Sequence, residues 1–169
     1  MKTRFVAPGL GLALLLGTAV SAQAPTKDVV QAAQAAGQFT MLLKAVKQAG
    51  LEGKMKAPGP YTVFAPTDAA FAAMPPAVAK RLMNPANKKE LASVLSYHVL
   101  AGRLMTADVA GKNAEVKALT GQGLVVDGRK GAPTVNGARI TTADMRVSNG
   151  VVHVIDQVLL PPTPVLPKL

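Results

Sequence analysis

The sequence predicts an α+β domain, with helices mainly in the first half and antiparallel strands mainly in the second. Two patterns carry this reading. Up to about residue 100, apolar side chains recur at spacings of three and four, the period of a helix. From Gly111 onward that spacing gives way to short β-type runs punctuated by Asp-Gly and Asn-Gly pairs, the strongest short hairpin signals. A third observation sets the location. The chain opens with positive charge, an apolar run and then small residues, the order of an export signal.

Lys2 and Arg4 supply the charge, residues 5–20 the apolar run and Ser21-Ala22-Gln23-Ala24 the small residues. Cleavage is expected after Ala22 and alternatively after Ala24, where Pro25 would hinder the peptidase. The run is short of the ~20 apolar residues a spanning helix needs, and no later stretch reaches that length, so no membrane segment is expected after cleavage. Residues 1–22 are therefore read as a signal peptide, 26–161 as one domain and 162–169 as a proline-rich, extended tail.

Val29, Val30 and Ala33, then Phe39, Leu42, Leu43 and Val46, predict two helices divided by Gly37 and stopped at Gly50. Residues 53–60, rich in glycine and proline, read as a loop. Residues 61–65 form a short buried strand that Pro66 ends. Thr67 is placed to cap a helix over 69–74, because a helix start leaves N–H groups unpaired. Pro75-Pro76 separates it from a helix over 77–83. A further helix starts at Asn84 or Pro85, shows Leu91, Val94 and Leu95 on one face, and runs into a strand over 97–100. Strands follow over 115–119, 123–126, 134–135, 139–142 and 151–159. The last is apolar on both faces, the mark of a central strand. Asn149-Gly150 is expected to supply positive-φ residues for the turn into it.

Composition narrows the function. With 49% apolar residues the chain can build a core, and with 4% aromatics and no Trp that core is aliphatic, with Phe64 and Phe71 as large contributors. The absence of cysteine excludes disulfides, thiolate metal sites and a cysteine nucleophile. Loss of residues 1–22 leaves 17 basic against 9 acidic side chains, a net charge of +8. That charge suits acidic polysaccharide or another anionic surface. The basic residues are dispersed and no aromatic ladder runs among them, which with export excludes nucleic acid.

His98 and His153 are the only histidines. Two imidazoles without a third ligand make no metal site, so each is expected to be buried and hydrogen-bonded to backbone or a neighbour. Asp156 either orients a polar group or lies at the rim of the last strand. No nucleophile elbow, zinc-protease or phosphate-loop motif occurs, and Gly121-Gln122-Gly123 reads as a hairpin turn. The residues predict neither catalysis nor a cofactor.

Three segments resemble the fasciclin family. Residues 61–71, YTVFAPTDAAF, are similar to its first signature. Residues 97–100, YHVL, resemble its tyrosine-histidine element, and 148–161, SNGVVHVIDQVLLP, its second signature. The resemblance spans residues 26–161. It implies a wedge of antiparallel sheet with helices packed at one side, and a secreted or periplasmic module that binds proteins of a cell surface or matrix. It also implies binding roles for Asp144-Met145, just before the Asn-Gly turn, and for Tyr97-His98.

Overall fold

The structure, a computed structural model, describes residues 25–129 and 131–162. The expected signal peptide, Lys130 and most of the expected tail lie outside the described residues.

The helices stand where their caps put them. α1 (Val29–Ala36) opens with a reciprocal box, Asp28 Oδ1 accepting from Gln31 N at 2.8 Å and Gln31 Oε1 from Asp28 N at 3.3 Å. It ends at Gly37 in the left-handed region. α2 (Thr40–Ala49) has no capping side chain of its own. Asp68, far along the chain, accepts from Thr40 N and Met41 N at 3.2 and 2.7 Å. Residues 53–60 are not all loop: α3 (Glu52–Lys56) forms there, tied by a Glu52–Lys56 pair at 3.0 Å. Next come β1 (Tyr61–Pro66), α4 (Asp68–Ala72), and α5 (Pro76–Leu82). Thr67 caps α4 as expected, its Oγ1 accepting from Ala70 N at 3.2 Å. A 3-10 turn (Pro85–Asn87) leads into α6 (Lys88–Tyr97), followed by β2 (Val99–Ala101). Tyr97 therefore ends a helix and His98 is its C-cap, whereas both were expected on a strand. Their apolar neighbours satisfy either period, and the helix wins because Val94, Leu95 and Tyr97 all bury.

A short helix absent from the sequence reading, α7 (Thr106–Val109), precedes β3 (Asn113–Lys117), β4 (Gly123–Asp127), β5 (Thr134–Val135), β6 (Ala138–Val147) and β7 (Gly150–Ile155). β6 is longer than expected because it continues through a bulge between Thr142 and Met145. The seven strands form one sheet in the order β2-β1-β7-β6-β5-β4-β3. The α+β layout is as expected, with one difference in the sheet. β1 and β7 pair in parallel, Tyr61 opposite Gly150 and Pro66 opposite Ile155, while the other ladders are antiparallel. Strand periodicity carries no information about direction, so only the folded chain reveals this. All six β7 residues are buried, in keeping with a central strand.

Two cores flank the sheet. The helices pack Phe39, Leu42, Val46, Phe71 and Leu91 against Val63, Val152 and Val154. On the other face the sheet curls around Phe64, Tyr97, Leu124, Val126 and Ile155. There the two outermost strands come together at a bridge between Leu100 and Ala118, reinforced by Leu119 N donating to Val99 O at 2.8 Å.

Gly150 has the positive φ expected of it, 159°, but Asn149 acts differently from expectation. Asn149 does not have positive φ. Its side chain is buried and works as a clamp. Oδ1 accepts from Val29 N at 3.2 Å, and Nδ2 donates to Met55 O at 2.7 Å and Ala57 O at 3.3 Å. Gly150 is required by proximity, since a Cβ there would lie 1.8 Å from the Tyr61 carbonyl oxygen. Gly150→Ala must therefore push β7 away from β1. It is expected to lower stability by about 3 kcal/mol or more, and a urea midpoint equal to the parent's would refute this.

Candidate functional site

The family-implied residues fall at two places. Asp144 and Met145 lie on the β6 bulge, both half-buried, whereas Tyr97 and His98 are 1% and 2% exposed. The structure thus joins Asp144 to His153 and separates it from Tyr97 and His98.

The Asp144 site is built from three strands holding one loop. Thr62 on β1 is fully buried; its hydroxyl donates to Gly102 O and accepts from Leu104 N, each at 2.8 Å. His153 on β7 meets Leu104 O through Nε2 at 2.8 Å and accepts from Asp144 N through Nδ1 at 3.2 Å. Because the amide can only donate, Nδ1 is the acceptor and the ring proton sits on Nε2. Phe64, wholly buried, stacks on this ring at 5.6 Å. Asp144 in turn receives Thr106 N on Oδ1 at 2.9 Å and the Thr106 hydroxyl on Oδ2. Its backbone is left-handed, φ 56°, a conformation aspartate tolerates better than most residues. Burial pushes the Asp144 carboxyl up, but the two Thr106 hydrogen bonds, with His153 and Arg146 nearby, outweigh it and hold it below the usual carboxylate value. Arg103 and Arg146 are exposed beside this bulge and carry no ion pair among the described residues.

Tyr97 and His98 are bolts inside the fold. The Tyr97 hydroxyl donates to Gly123 O at 3.2 Å and accepts from Asn136 Nδ2 at 2.8 Å. His98 Nε2 accepts from Leu159 N at 2.9 Å, which puts the proton on Nδ1, facing Val94 O at 2.7 Å. Burial lowers its pKa to about 4, against the opposing effect of the hydrogen bond it donates to the Val94 carbonyl. Asp156 is exposed at the end of β7, where Oδ1 accepts from Arg139 N at 2.9 Å. Thr62, Leu104 and Thr106 were not singled out from the sequence. A threonine inside the apolar run of β1 is a signal for Thr62 alone; Leu104 and Thr106 carry none.

Chemically, the arrangement positions a surface. Both nitrogens of each histidine are engaged by backbone, so neither ring is free to take a substrate proton. Among the described residues no three His, Cys, Asp or Glu side chains are grouped to hold a metal, and no helix is long and apolar enough to cross a membrane.

Comparison with known proteins places this geometry. Residues 37–161 match the family model of the fasciclin domain. Protein sll1483 of Synechocystis sp. is 43% identical over 86% of this chain and 81% of its own length. The transforming growth factor-beta-induced protein ig-h3 of Sus scrofa is 38% identical over 82% of this chain, which spans 20% of that longer protein. A solved FAS1 domain pair from the insect cell adhesion molecule Fasciclin I aligns over 84% of this chain and 53% of that one, with a TM-score of 0.72 and 18% identity. That last likeness is one of fold.

Two outcomes follow from the site. With His98 near 4 in the fold and 6.5 unfolded, the unfolded chain binds the extra proton between those values. Its stabilisation is complete above pH 6.5 and falls by about 3 kcal/mol as pH drops to 4; an NMR titration should find the ring neutral at pH 5, and a midpoint near 6.5 would contradict it. Asp144→Ala loses two hydrogen bonds and leaves a poorly tolerated left-handed alanine, so stability should fall by about 2 kcal/mol. Asp144→Asn, which keeps the backbone preference, should cost less, and thermal melts giving the reverse order would reject the strained-bulge account.

Proposed function

This chain belongs to the fasciclin domain family, and from that premise we propose that it is an exported, non-enzymatic interaction module binding a protein of a cell surface or matrix. The contact surface is the β6 bulge, with Asp144 and Met145 at its centre and Arg103 and Arg146 beside it. The observation that carries this reading is the bracing of the bulge. Strain at Asp144 is held in place by Thr106 on one side and His153 on the other. Backbone held in a sparsely populated conformation needs such support and clusters at functional surfaces. A pre-ordered loop also loses little entropy on binding. Export is supported by the amino-terminal order of charge, apolar run and small residues. The naming of one structural relative as a cell adhesion molecule agrees with the role.

A second reading, a binder of acidic polysaccharide or an anionic surface, draws on the charge. Among the described residues only three ion pairs form, Lys56–Glu52, Arg81–Glu90 and Arg129–Asp127, so most of the basic side chains are uncompensated. Capture of an envelope protein by the purified domain separates the two. If the bulge is the contact, Arg146→Glu weakens capture about tenfold with an unchanged melting temperature. If charge alone drives binding, affinity collapses as salt rises from about 0.05 to 0.5 M, and Met145→Ser has no effect.

A further inference from the structure

Away from the β6 bulge, the helices do not close completely over the sheet. A cavity of about 280 Å³ lies between α2, α3, α6 and β1. Its walls are aliphatic, with Leu42, Val46, Leu51, Met55, Leu95 and Val99 facing it. α3 buries none of its residues fully. Its apolar members flank empty space, and the helix hangs from the Asn149 clamp through Met55 O. Leu119, 47% exposed, also lines the cavity and extends its apolar surface to solvent.

The polar lining is sparse and one-sided. His98 spends both ring nitrogens on backbone. The hydroxyls of Tyr61 and Ser96 make no hydrogen bond among the described residues, and Lys54, exposed, has no ion pair there. An aliphatic chamber with one cation and two unpaired hydroxyls fits a ligand with a long apolar body and a single negative head.

We propose that this cavity binds a single-chain aliphatic carboxylate of about ten carbons, the chain between the helices and the sheet and the carboxylate against Lys54. The length comes from the volume. An apolar cavity of about 150 Å³ accepts benzene, so one nearly twice as large holds about ten carbons. The single charge comes from Lys54 being the only cation in the lining among the described residues. A doubly charged phosphate monoester would leave one charge unmatched next to apolar walls. No residue of the bulge itself lines the cavity, although Phe64, which stacks on His153, does.

The test is calorimetric titration of the purified protein with saturated carboxylates of six to sixteen carbons, each below its micelle concentration, and with the matching alcohols. Saturable one-to-one binding is expected, tightening about fourfold per methylene and levelling off near ten carbons. Decanoate should bind more tightly than decanol at pH 7. Lys54→Glu, at an exposed position, should abolish that preference while keeping the length dependence. Val46→Phe, which fills the chamber, should weaken decanoate at least about tenfold; the Lys54 variant decides the matter if this one does not fold. Absence of saturable binding by decanoate overturns the proposal. So does affinity that keeps climbing through sixteen carbons, or a Lys54→Glu protein that still prefers the acid.

Discussion

The parallel contact between β1 and β7 is the constraint on which the rest of the structure depends. It is made from the first and last strands in chain order, and it can form only where Gly150 lets the Tyr61 carbonyl approach. Long-range pairing of this kind gains nothing until the intervening chain has been closed, a loop-entropy cost met late in folding. The residues on β7 then serve both faces. Val152 and Val154 complete the core under the helices, and Ile155 completes the one inside the curl. Asn149, just before the strand, reaches back to α1 and α3. One strand thus supports both halves of the domain.

The four buried polar residues among those described follow one logic. Thr62, His98, Asn149 and His153 each join a loop or terminus to a regular element through backbone groups. In a protein without disulfides and with few aromatics, such directional bonds specify which loop sits where. They also explain why the ring nitrogens of both histidines are taken up by backbone groups. An imidazole with both nitrogens occupied is a spacer of defined length.

Much of the fold was legible because it rests on local rules. Gly37 and Gly50 as helix stops, Thr67 as a cap and the hairpin at Asn136-Gly137 follow from backbone preferences that neighbours hardly alter. The misread places are those decided at long range. Asp68 caps a helix distant in sequence, and Tyr97-His98 became a helix end because their pockets lie across the domain. Asn149-Gly150 does lie at the turn into β7, as its chemistry suggests, but it is also a clamp and a close approach, and nothing within ten residues reveals that. For the candidate site, Asp144 and Met145 were reached through family resemblance. Thr106, the partner that holds the bulge, is an ordinary threonine until the structure sets it against Asp144.

The bridge between Leu100 and Ala118 has a consequence for how this domain meets other chains. Exposed strand margins are templates for uncontrolled pairing. Here the margin of β2 is taken up by its own domain. That of β3 alternates exposed Glu115 and Lys117 with half-buried neighbours, a charged border that resists strand addition. Any chain that docks here is therefore denied these backbone margins and must read side chains. Such a domain can then be present at high concentration beside other extended chains without being drawn into fibres.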